Sequence, residues 1–255
     1  MPANLCRNLP RAVRREASCG PAMTQARYAI YFVPAADSSL YRFGSAMLGY
    51  DCYSGDDVPM PADAGIVPED WRKLTEEPRR YGFHATLKAP FRLAPGCSEA
   101  ELARVFFAFA QRERTLARID PDIRLLGTFT AIVPREPSAP LVALAERCTI
   151  DFDAFRAPMP AAERERRAAR LSERQVHHLE RWGYPYVSED FRFHMTLTGR
   201  LAPDQQDAIL ALLRRHFAHM CRDRPIAIDR LGLFKQEHAD ARFRVLHHAQ
   251  IGAAA

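Results

Sequence analysis

Phe83-His84-Ala85-Thr86-Leu87 and Phe193-His194-Met195-Thr196-Leu197 state one pattern twice. The first copy runs on into Arg92-Leu93-Ala94-Pro95 and the second into Arg200-Leu201-Ala202-Pro203. Successive side chains of an extended strand point to opposite faces, so His84, Thr86 and Lys88 are expected on one face, with Ala85 and Leu87 on the other. The second copy sorts the same way: His194, Thr196 and Thr198 share a face, and Met195 and Leu197 turn to a core. One His-x-Thr-Leu matches by chance, and a lone strand histidine is commonly a satisfied core residue. Two copies, each followed by a helical stretch (98–114 and 204–221), read as a duplicated strand-then-helix unit, and such a repeat reports symmetry in the fold.

On these residues the chain resembles the 2H phosphoesterase superfamily, named for its two His-x-Thr/Ser motifs. Arg27-Tyr28-Ala29-Ile30-Tyr31-Phe32-Val33-Pro34, the run from Arg79 to Phe91, and Trp182-Gly183-Tyr184-Pro185-Tyr186-Val187 are similar to its DUF1045-like branch, encoded with bacterial phosphonate-utilisation genes. The resemblance extends from Arg27 to Ile251. It implies an α+β fold of two antiparallel-sheet lobes with outer helices, related by a pseudo-twofold, both histidine strands facing one cleft. It also carries over His84, Thr86, His194 and Thr196 as the catalytic set of a cyclic phosphodiesterase that uses no cofactor and no metal.

The chemistry fits those residue types. An imidazole titrates near a pKa of about 6.5, so one ring can serve as a neutral base while another serves as a charged acid. Phosphodiester hydrolysis needs both, one to take a proton from water and one to protonate the leaving oxygen. The two threonine hydroxyls can stabilise charge on the nonbridging oxygens. Which histidine is acid and which is base is left open by the sequence. Lys88 on the same strand face, and Arg79 and Arg80 just before the first motif, are candidates for docking a phosphate. Tyr28, Tyr81 and Thr198 are candidates for lining the cleft.

Composition narrows the partners. Of a chain of 255 residues, 47% are hydrophobic, enough for a sizeable core. No apolar run is long enough to span a bilayer. The formal net charge is +5 and the pI about 9.0, yet Arg7, Arg11, Arg14 and Arg15 against Glu16 concentrate the excess in the first 22 residues. That segment reads as a disordered extension or an upstream start, and 23–252 as a single bilobal domain. The small remaining charge favours a small anionic phosphodiester over RNA, whose backbone needs many cationic contacts. An RNA-binding or RNA-end-processing protein, acting on 2′,3′-cyclic phosphates or 2′-5′ linkages, is the alternative.

Cysteines at 6, 19, 52, 97, 148 and 221 show no close pairing, which points to a reducing cytoplasm. His177-His178, His247-His248 and His216-x-x-His219 lack the carboxylate spacing of a metal motif. Further expectations are a first strand over 28–33, a helix over 38–48, a loop over 54–68 and a strand or strand pair over 123–133. One charged helix is expected over 161–182, ended by Gly183 and Pro185, with strands over 226–234 and 243–248 closing the chain.

Overall fold

The computed structural model describes residues 26–61, 67–114, 116–221 and 225–252; the expectations for residues 1–22 and for part of the 54–68 loop fall outside them. In chain order the first half runs β1 (Arg27–Phe32), α1 (Ser39–Leu48), α2 (Pro68–Leu74), α3 (Glu76–Arg79), β2 (Ala85–Arg92), α4 (Glu99–Arg112), β3 (Ala117–Ile119) and β4 (Pro121–Leu126). The second runs β5 (Phe129–Pro134), α5 (Ala139–Asp151), α6 (Ala161–Ala168), α7 (Glu173–Trp182), β6 (Met195–Thr196), α8 (Pro203–Met220), β7 (Ile226–Ile228), β8 (Arg230–Gln236) and β9 (Arg244–Gln250).

Seven strands form one antiparallel sheet in the order β4-β5-β6-β2-β1-β8-β9, and β3 pairs with β7 separately. The order is a duplication. β1 pairs with β2 as β5 pairs with β6, and β8 crosses to flank β1 as β4 flanks β5. The helices follow suit: Phe43 of α1 meets Phe217 of α8 at 5.3 Å, and Phe109 of α4 meets Phe152 after α5 at 5.4 Å. The pseudo-twofold passes through the seam between β2 and β6. The two lobes are thus halves of a continuous sheet, joined where Ala85 pairs with Met195.

Local chemistry sets the element ends. Ser38 caps α1 by accepting from the Tyr41 amide, and Ser98 with Glu101 forms a reciprocal capping box on α4. A second box, Ser172 with Gln175, starts a new helix inside the segment expected to be continuous, so 161–182 divides into α6 and α7. Gly44 lies where Phe83 crosses α1: an added Cβ would come within 2.2 Å of the Phe83 ring. That close approach seats the residue before His84 against the core, which runs from Tyr28 to Ile251 through both halves. No helix among the described residues is long and apolar enough to cross a membrane.

Candidate active site

The seam fixes the site. With Ala85 opposite Met195 in antiparallel register, His84 stands opposite Thr196 and Thr86 opposite His194, on neighbouring strands about 4.8 Å apart. Ala85 and Met195 are buried on one face, while all four motif side chains remain part-exposed on the other. Each histidine therefore faces the other motif's threonine.

Both rings are held alike. His84 Nδ1 lies 2.9 Å from the Gly82 carbonyl and His194 Nδ1 lies 2.7 Å from the Arg192 carbonyl, each two residues upstream. A carbonyl only accepts, so each Nδ1 carries the hydrogen and each Nε2 of the neutral ring is an acceptor. Thr86 Oγ1 is 3.3 Å from His84 Nε2, where it donates to the neutral ring. Gly82 makes the first hold possible: its φ is +75°, and a side chain there would collide with Cys52.

His84 sits in an aromatic cage. Tyr31 stacks on it at 3.8 Å between centroids, and Phe234 and Tyr81 lie at 6.2 and 6.3 Å. Burial pushes its pKa down to about 4, against the pull of the Gly82 hydrogen bond and with a smaller lowering contribution from the neighbouring His194. His84 is thus neutral at neutral pH.

Two cavities open from the seam. One, of about 320 Å³, is lined by His84, Thr196, Tyr81, Arg200 and Glu77 among others. The other, of about 950 Å³, is lined by Thr86, His194, Arg192, Tyr184, Tyr186 and the inner side of α5. Phe129 borders both.

The residues expected around the motifs divide. Tyr81 lies in the smaller cavity. Lys88 does not share the face of His84 and Thr86: Tyr31 pairs with Thr86 but Ile30 with Lys88, so a bulge between them turns Lys88 to the opposite face. There it is buried, donating to the Thr149 carbonyl at 2.9 Å and to Asp153 at 3.2 Å, with burial pushing its pKa down to about 8. Tyr28, on that same face, is buried and donates to Glu99. Thr198 borders the smaller cavity, but its buried hydroxyl accepts from the Thr130 amide at 3.0 Å and bonds the Thr130 hydroxyl.

Arg79 clamps α1 to α2, donating to the Leu48 carbonyl and Thr75 Oγ1, and Arg80 reaches the Ala239 carbonyl. Neither lines either of these two cavities. Tyr31, Phe129, Arg192, Arg200, Tyr184 and Tyr186 were not anticipated at the site. Cys52 is buried, its thiol pushed up to about 12 by burial, which leaves it no nucleophilic role near neutral pH. Among the described residues no group of three or more His, Cys, Asp or Glu side chains is arranged to hold a metal ion.

Residues 86–244 match the model of the family described as Protein of unknown function (DUF1045). The chain belongs to the DUF1045 family. Two curated relatives bear the name Ribose 1,5-bisphosphate phosphokinase PhnN. The one from Janthinobacterium sp. (strain Marseille) is 40% identical over 221 residues, covering 85% of this chain and 49% of that protein. The one from Laribacter hongkongensis (strain HLHK9) is 35% identical over 219 residues, covering 86% and 50%. The DUF1045 chain thus spans about half the length of the curated relatives it matches. Among solved structures, apo LigT of E. coli aligns with a TM-score of 0.39 at 10% identity, over 90% of this chain and 100% of that one. That likeness is too distant to carry a function.

Proposed function

We propose that this DUF1045 chain hydrolyses a small cyclic phosphodiester by paired histidine acid and base catalysis. The observation that carries the reading is the seam register, which sets each histidine across from the other motif's threonine, with both rings held alike through Nδ1. His84, neutral and desolvated, takes a proton from water as the water oxygen bonds to phosphorus. The ring P–O bond breaks as His194 Nε2 gives its proton to the departing oxygen. Thr86 and Thr196 donate to the nonbridging oxygens as charge builds. The product is a phosphomonoester, and the two rings have exchanged protonation states, which solvent restores. No step uses a metal or a cofactor.

A phosphorylated ribose cyclic phosphate is the proposed substrate. Ring opening of that compound yields a ribose bisphosphate, the class of compound in the name of the relatives, half of whose length this chain matches. A second reading, RNA ends bearing 2′,3′-cyclic phosphate or 2′-5′ linkages, draws support from Tyr184 and Tyr186 in the larger cavity, where a base could stack. The test is a panel of ribose 1,2-cyclic phosphates, with and without a 5-phosphate, nucleoside 2′,3′-cyclic phosphates and 2′-5′ oligonucleotides, assayed in EDTA. Turnover of the ribose compounds supports the first reading. Turnover confined to oligonucleotides replaces it with the second, and activity lost in EDTA but restored by zinc or manganese refutes the metal-free mechanism.

A further inference from the structure

A pseudo-symmetric seam offers the same imidazole and hydroxyl from either side, so recognition of the rest of an unsymmetrical substrate must come from residues that break the symmetry. The position two residues before each histidine does so: it is Gly82 in the first half and Arg192 in the second. Arg192 lines the larger cavity beside His194 and Thr86. Its Nη1 donates to the Glu189 and Phe191 carbonyls, both at 2.7 Å, and it has no carboxylate partner among the described residues. A guanidinium carries five N–H donors in a rigid fork, so Nε and Nη2 keep theirs for a ligand.

Two other cations of that cavity are committed. Arg124 and Arg135, in the same cavity, are paired with Asp122 and Asp120. Arg200 lines the smaller cavity, which holds His84 and Glu77 and not His194; the larger cavity is lined in turn by Glu136 and by Asp190, which pairs with Arg174. The Glu189 carbonyl that helps hold Arg192 belongs to a turn begun by Ser188, the one non-glycine residue with positive φ (50°) among the described residues. Backbone held in so sparsely populated a conformation costs energy and clusters at ligand sites.

We infer that Arg192 binds a second anionic group of the substrate, a phosphate monoester on the sugar, in the cavity beside His194. This rests on the cyclic phosphodiesterase reading and adds to it the residue that selects a substrate with two anionic groups. It also displaces Lys88, Arg79 and Arg80 from that role, since each is tied to protein groups and lines neither of the two cavities.

The test compares Arg192→Gln, Arg192→Lys and Arg200→Gln with the unmodified chain on two matched substrates, ribose 5-phosphate 1,2-cyclic phosphate and ribose 1,2-cyclic phosphate. Loss of a charge-assisted pair predicts that Arg192→Gln lowers kcat/KM on the 5-phosphorylated compound by about ten- to a hundredfold, mainly through KM. The loss on the unphosphorylated compound should be at least about fivefold smaller than on the phosphorylated one, and Arg192→Lys should recover part of the selective loss. Equal losses on both substrates mean that Arg192 only supports the turn at Glu189, and overturn the inference. So does a selective loss in Arg200→Gln in place of Arg192→Gln. An unmodified chain inert on both compounds sinks the functional reading itself, and this inference with it.

Discussion

Replacing His84 by glutamine should remove one identifiable source of acid sensitivity. The ring is caged by Tyr31, Tyr81 and Phe234, and burial holds its pKa at about 4 where a free imidazole has 6.5. The folded state thus binds the proton more weakly than the unfolded chain does. The stability that neutral His84 preserves is intact above pH 6.5, erodes as pH falls toward about 4, and is gone below that. At about 1.4 kcal/mol for each tenfold displacement of a protonation equilibrium, the loss amounts to about 3 kcal/mol. Urea denaturation of both proteins between about pH 7.5 and about pH 4 isolates this contribution, because the carboxylates they share cancel in the difference. The unmodified chain should lose about 3 kcal/mol more than the variant across that range. Parallel stability profiles would show that the ring is solvated, and would remove the argument that His84 is the base.

Other consequences concern the frame around the site. Asp153→Ala should cost about 3–5 kcal/mol of stability, since it strips the partner from the buried Lys88 ammonium. Lys88→Met should cost less, because Asp153 keeps Arg156 and Arg181; equal denaturation midpoints for the two variants would contradict this. Gly44→Ala should destabilise by about 1–3 kcal/mol and also slow turnover, because the new methyl group displaces Phe83, the neighbour of His84. An unchanged melting temperature would show that the contact is slack. Thr198→Val should lower stability by about 1–3 kcal/mol, leaving the Thr130 amide unpaired, with kcat little altered. A large fall in kcat at unchanged stability would return Thr198 to the substrate.

The sequence displayed the duplication because a repeated motif survives as a repeated string. The helix starts were visible too, since capping is local: Ser38 and Ser98 are read within three residues of the helices they begin. What the sequence hid is non-local or breaks periodicity. Parity placed Lys88 beside Thr86, and one bulge reversed it; Pro90, which cannot donate within the central strand β2, was the available warning. Tyr28 and Tyr31 lie on opposite faces of β1, and only the pairing of Tyr31 with Thr86 shows which one meets His84. The break between α6 and α7 was legible in Ser172 and Gln175, but the surrounding charge periodicity masked it. Arg192 stood two residues before His194, yet that it lacks a carboxylate partner among the described residues while Arg79 and Arg80 are tied down is a fact of tertiary contacts alone.

The central claim is that His84 and His194 act together on one phosphorus. Steady-state turnover of ribose 5-phosphate 1,2-cyclic phosphate by His84→Gln, His194→Gln and the double variant tests it most directly. Each single substitution should lower kcat by about 10²–10⁴, and the double variant should be little worse than the poorer single one, because the two rings serve the same step. Either single variant turning over within a few-fold of the unmodified chain would contradict the account.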